Sequence, residues 1–158
     1  MSALMTAAAN SPMPAKAVMS VYSKSPDAIV TKADSGINSI KDLGHKTLAT
    51  ATFSGSNQVW PLIAKSNGLD VTTVKLLKVD DNAVGPMLAS GNADAVIAWM
   101  TSAPLYSSLV APSGAKLKVL AWSDFGLAGY NWSILASDRM IKEPVSYTHL
   151  TLPTICSV

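Results

Sequence analysis

The chain has 158 residues, enough for one domain with a real core. Hydrophobic residues make up 49% and charged residues 14%, yet no apolar run approaches the roughly 18 residues of a membrane span. A net charge of +2, with no basic cluster among aromatics, argues against a nucleic-acid surface, and the lone cysteine, Cys156, excludes a disulfide framework or a thiolate metal site.

Residues 2–10 read as a short Ala- and Met-rich helix ended by Asn10-Ser11-Pro12. Residues 17–22 form a strand candidate, Pro26 interrupts, and residues 28–31 form the next. Residues 38–43 suit one helical turn with Ser39 as N-cap. Residues 46–52 are a third strand. A helix follows from near Asn57 to Ser66 and stops at Asn67-Gly68. Pro61 has no N–H and belongs early in a helix, so this start leaves the Gln58, Val59 and Trp60 amides free.

Residues 74–79 are a strand, and residues 82–90 a helix capped by Asp80 or Asp81 and stopped by Gly91. The near-continuous apolar run 93–99 suits a strand covered on both faces. A helix over 101–110 carries Pro104 early. Strands are expected over 116–122 and 131–136, and Ser137-Asp138 opens a further helix. Strand–helix alternation at this spacing predicts an α/β fold with a mostly parallel sheet.

Open α/β sheets bind ligands outside the carboxyl ends of their strands. Four loops qualify: Ser23-Lys24, Ser54-Gly55-Ser56-Asn57, Trp99-Met100-Thr101-Ser102 and Trp122-Ser123-Asp124-Phe125-Gly126. The serine loop at a helix start offers amides to a polar or anionic group, or it caps the helix. Trp99 and Trp122 either stack on a planar ligand or plug the core, and Trp60 suits core or rim. Asp124 either binds a ligand amine or holds the hinge backbone. Asp94 caps or pairs locally, and His45 suits a solvated turn. One histidine outside the tail, no native cysteine and no glycine-rich nucleotide motif leave no catalytic or metal constellation, so no enzyme and no cofactor are expected.

The run Asp34-Ser35-Gly36-Ile37, then Ser39, Lys41-Asp42-Leu43-Gly44 and Lys46, followed by a strand and Gly55-Ser56 at a helix start, resembles the solute-binding proteins of ABC importers. The nitrate/sulfonate/taurine and thiamine-pyrimidine branch is the nearest in look. Pro61, Ala64-Lys65, Gly68-Leu69-Asp70, Pro86 to Gly91, Asp94-Ala95-Val96 and Ser137-Asp138 extend the likeness over residues 15–144. The resemblance implies a type II periplasmic-binding-protein-like fold: one complete, mostly parallel α/β lobe plus remnants of a second lobe. Residues 1–32 would be remnant and crossover strand, 33–122 the complete lobe, and 123–144 the hinge and return.

It implies a small nutrient held between lobes and handed to ABC permease subunits, by an extracytoplasmic and monomeric protein. Ser54, Gly55, Ser56, Asn57, Trp99, Met100, Thr101, Trp122 and Asp124 would line one side. Tyr130 and Asn131, with Trp132, would close the cleft from the other. A small organic ligand with a planar or sulfonate group is favoured. Met1-Ser2-Ala3-Leu4-Met5 lacks the basic start of a secretory signal, so either the protein is cytosolic or the chain begins inside a longer one, and the resemblance favours the second. A pyrimidine synthase of the same fold and a sensor effector domain are the alternatives. The stretch 145–154 resembles translated sequencing adapter, and residues 145–158 are set apart from fold reasoning.

Overall fold

The computed structural model describes residues 14–127, 129 and 131–142, with the backbone alone for Asn131 and Trp132. They fall into two compact units, residues 24–129 and residues 14–23 with 131–142. The expected helix over 2–10, Tyr130, and the tail 145–158 lie outside the described residues.

The larger unit holds β2 (Asp27–Lys32), β3 (Thr47–Ala51), α1 (Ser56–Ser66), β4 (Lys75–Val79), α2 (Asp81–Ser90), β5 (Ala95–Trp99), α3 (Ala103–Val110) and β6 (Leu117–Ala121). Its five strands lie in the order β4-β3-β5-β2-β6. β3 pairs parallel with β4 and β5, whereas β2 runs antiparallel between β5 and β6. β6 therefore points the same way as β5.

Side chains alternate across a strand, and the alternation builds two cores. Ile29, Leu48, Ala95, Ile97 and Leu120 face α1, where Trp60, Ile63 and Ala64 meet them. Val30, Ala49 and Val96 face the other way, toward Val84 and Leu88 of α2 and Tyr106 of α3. β2 supplies both cores, so the contacts place residues 27–32 inside this sheet, where the sequence division sets them before residue 33. At the β4 edge, Lys75 and Lys78 are exposed, which discourages pairing with another chain.

Local chemistry follows the expected boundaries, with a departure at Pro61. Ser39 precedes a 3-10 turn over Ile40–Leu43, and Asp42 accepts the Asn38 and Ser39 amides at 2.8 and 2.9 Å. Gly91 ends α2 with a left-handed φ of 79°, a conformation costly for any side chain. Asp94 accepts the Thr47 amide at 2.7 Å, a long-range bond 47 positions away in sequence in place of the local pairing expected. His45 is exposed and left-handed, with φ 61°. Pro61 is expected early in its helix. α1 begins at Ser56, so Pro61 stands in its interior, beyond the first turn, and burial of Trp60, Ile63 and Ala64 outweighs the lost helix hydrogen bond. Pro86 also stands inside a helix, α2, between the buried Gly85 and Leu88, within the span expected for it.

In the smaller unit, β1 (Ala15–Tyr22) pairs antiparallel with β7 (Asn131–Ser137), with a register shift between Ala17 and Met19. Ser137 Oγ accepts the Met140 amide at 3.2 Å and opens α4 (Asp138–Lys142). Among the described residues, no helix is long and apolar enough to cross a membrane.

Candidate functional site

The carboxyl ends of β3, β5 and β6 share one edge of the sheet with the start of β2, because β2 runs against its neighbours. Asp27 opens β2 opposite Trp99, and the Met100 amide donates to Pro26 O at 2.8 Å. These bonds seat the 99–101 turn beside the 25–27 turn.

Asp27 is the centre of the edge. Its side chain is 6% exposed. Ser25 Oγ donates to Oδ2 and Ser56 Oγ to Oδ1, each at 2.6 Å. Hydroxyl bonds to a carboxylate of this length are charge-assisted and strong. The second bond ties the start of α1 to the start of β2.

The serine loop is internally satisfied. Ser56 N–H donates to Ser54 Oγ at 3.3 Å, Asn57 N–H to Ser54 O at 3.2 Å, and Gln58 N–H to Gly55 O at 3.2 Å. Ser54 Oγ donates to Ser56 Oγ at 3.0 Å. Asn57 accepts from Thr50 Oγ1 at 2.8 Å, while its amide group donates to Ala51 O and Thr52 O at 2.9 and 3.2 Å. The expectation of a free Gln58 amide is thereby corrected: the helix starts one residue earlier, and a 3-10-type bond closes its first turn. Gly55 caps the helix without a side-chain bond, at φ −61° and ψ −24°, and is exposed.

Ser54 to Asn57 and Trp99 to Thr101 thus come together around Asp27. Trp99 is half-buried, while Met100 and Thr101 are exposed. Phe53, beside the serine loop, is fully exposed.

Two predicted residues stand elsewhere. Trp122 is 0% exposed, with its ring centroid 6.3 Å from that of Trp60 in the α1 core, so as described it presents no face to a ligand. The reason is parity: Trp122 follows Leu120 by two residues and takes the same sheet face. Asp124 is exposed on a 3-10 turn over Trp122–Phe125 that runs along α1. Asn67, at the far end of α1, donates to Phe125 O at 2.9 Å. Asp124 therefore lies toward the opposite end of α1, away from the serine loop. The Asn131 backbone belongs to β7 in the other unit, opposite Tyr22. Asp27 and Ser25 are the site groups the sequence reading missed. The available signal was an aspartate opening an otherwise apolar strand beside a serine and a proline.

The NMT1/THI5 like family model matches residues 1–147. The chain belongs to that family. No curated protein sequence matches it. Among solved structures, this NMT1/THI5-like chain is similar to the periplasmic aliphatic sulphonate binding protein SsuA of Escherichia coli, at 19% identity and a TM-score of 0.66. That likeness covers 90% of this chain and 47% of the other. A second is the putative SsuA of Methylobacillus flagellatus KT, at 20% identity and TM-score 0.62, covering 89% and 41%. A third is the alkanesulfonate-binding protein SsuA of Xanthomonas axonopodis pv. citri bound to MOPS, at 20% identity and TM-score 0.57, covering 87% and 46%. At these identities the likeness establishes the fold, that of type II periplasmic binding proteins. The chain spans less than half the length of these three proteins.

Proposed function

We propose that this NMT1/THI5-like chain is part of the substrate-binding component of an ABC importer, working outside the cytoplasmic membrane as a monomer. Its larger unit supplies one side of a ligand site at the strand-end edge built by Ser54 to Asn57 and Trp99 to Thr101. In this proposal Tyr130 and Asn131 would belong to a complementary side. A small organic nutrient would bridge the two sides in a closed state and shift the population toward it. Permease subunits would then receive it. The observation that carries this reading is the family match over residues 1–147, joined to a strand-end edge with exposed Phe53, Met100 and Thr101 around a hydrogen-bonded polar centre.

Amplification of the gene across both ends from source DNA tests it first. The expected result is a secretory signal upstream and a second lobe continuing beyond Pro144. A helix-turn-helix upstream would replace transport with regulation. An open reading frame closed at Met1 and Val158 would remove the two-sided site.

A further inference from the structure

α1 stops at the only Asn-Gly pair in the sequence, Asn67-Gly68, and each residue answers a separate demand of the stop. Gly68 takes a left-handed φ of 71°, which glycine adopts at little cost. Its own N–H then reaches Lys65 O at 3.0 Å, and the Leu69 N–H reaches Ala64 O at 2.9 Å. Asn67 turns its side-chain nitrogen to two carbonyls, Ile63 O at 2.8 Å and Phe125 O at 2.9 Å. Both partners only accept, so the nitrogen of the amide, not its oxygen, must face them. The second bond ties the end of α1 to the turn over Trp122–Phe125, 58 positions on in sequence and shortly before the larger unit ends at Gly129.

Asn-Gly is also the dipeptide most prone to lose its side-chain amide, because glycine has no side chain to shield its nitrogen. That nitrogen attacks Cγ of the asparagine. The new N–Cγ bond closes a five-membered succinimide, the Cγ–Nδ2 bond breaks, and the glycine amide proton leaves with Nδ2 as ammonia. Water then adds to either ring carbonyl and opens the ring to aspartate or isoaspartate. Here the fold holds both reacting groups: the Gly68 N–H is donated to Lys65 O, and the leaving Nδ2 is bonded to two carbonyls. Attack therefore waits for the end of α1 to open locally. The product cannot restore the tie. A carboxylate only accepts, so it would set a negative charge against Ile63 O and Phe125 O. Isoaspartate further adds a backbone methylene inside the helix stop.

We propose that Asn67-Gly68 is a fold-gated deamidation site: the tie to Phe125 O shields it, and conversion permanently releases the Trp122–Phe125 turn from α1. Neither step depends on the solute-binding reading.

Trypsin isolates the site in the peptide 66–75, between Lys65 and Lys75, where Asn67 is the only asparagine. The 158-residue chain is aged in mildly alkaline buffer, folded and in urea, and conversion is read by mass and by chromatographic separation of aspartate from isoaspartate. Conversion in the folded chain is expected to be slower by about tenfold or more, the scale of one hydrogen bond that must open first. In Asn67→Asp, the Gly126 and Leu127 amides, which donate to Trp122 O and close the turn, are expected to exchange hydrogen about tenfold faster, with the Leu88 amide in α2 unchanged. Should Asn67→Asp fail to fold, exchange is read on the aged parent chain, where a faster-exchanging population of residues 122–127 should grow in step with conversion. Equal conversion rates in the folded chain and in urea remove the gate. Unchanged exchange at Gly126 and Leu127 removes the release. Either result overturns the proposal.

Discussion

Ser56 Oγ lies 2.6 Å from Asp27 Oδ1, and this one bond joins the first residue of α1 to the first residue of β2, 29 positions apart in sequence. It spans the α1 core face at the strand-end edge and holds the serine loop against the 25–27 turn. Its loss should be felt as instability. Asp27→Ala removes the acceptor of two buried hydroxyls, and hydrogen bonds to charged groups contribute about 1.5–3 kcal/mol each. The expected destabilisation is about 2–4 kcal/mol, against about 1–2 kcal/mol for Ser56→Ala. Urea unfolding of both single variants and of the double variant checks the coupling. If the two effects simply add, the bond is not the link described here.

Trp122 gives a different kind of prediction. Its ring fills the α1 core, but among the described residues its buried Nε1–H has no hydrogen-bond partner. An unmet buried donor offsets part of the gain from burying the ring. Trp122→Phe should therefore cost less than about 1.5 kcal/mol, while Trp122→Ala should cost about 3–5 kcal/mol through the cavity it leaves against Trp60. Comparable losses for Phe and Ala, measured by chemical denaturation, would show that the indole nitrogen has an acceptor.

The strand cores were legible because period-two alternation is a direct imprint of the two covered faces. Ile29 and Val30, Leu48 and Ala49, and Val96 and Ile97 divide between the two cores as alternation requires. The same rule, carried two residues past Leu120, places Trp122 in the core. Its strand-end position suggested a ligand face instead, and parity proved the stronger signal. The antiparallel entry of β2 was not legible. Strand direction depends on long-range pairing with β5 and β6, which leaves no local trace in Ala28-Ile29-Val30-Thr31. Asp27 was hidden for a related reason, since its partner Ser56 becomes a neighbour only after the sheet forms.

Gly85 lies where α2 crosses α3. A Cβ added there would stand 2.6 Å from Leu109 Cδ1 and 3.0 Å from Tyr106 Cε1. Leu109 is partly exposed and can turn aside, but Tyr106 is buried in the core and cannot. Alanine favours a helix interior over glycine by about 1 kcal/mol, while overpacking costs about 1–3 kcal/mol. Gly85→Ala should be destabilising by about 1 kcal/mol. Gly55→Ala should be neutral or slightly stabilising, because Gly55 already has helical dihedrals and nothing among the described residues lies within 4 Å of the added atom. Melting temperatures of the two variants, measured side by side, should move in opposite directions or differ clearly. A stabilised Gly85→Ala would mean the helix crossing has slack.

Asp42 makes the stability of the larger unit depend on acid. The Asn38 amide holds its carboxyl below the ordinary value of 3.8 against the opposing pull of desolvation, aided by the Ser39 amide and hydroxyl and by the charge of Lys118. Lys118 is itself held near by its bond to Asn38 Oδ1. A depressed carboxyl binds its proton less readily in the folded chain than in the unfolded one. Its contribution is therefore complete above pH 3.8 and is lost as pH falls through the lower folded value. Asp42→Asn should lower stability at neutral pH and flatten this part of the acid limb. Asp70, lowered by the Thr72 amide and hydroxyl, keeps a slope of its own in the variant. Because Asp42 is exposed, salt should weaken the Lys118 share while the amide bonds persist. Chemical denaturation from pH 6 down to about pH 2.5, at low and high salt, reads both effects. An acid limb in Asp42→Asn that superimposes on that of the parent chain would show that the 38–42 turn does not couple protonation to folding.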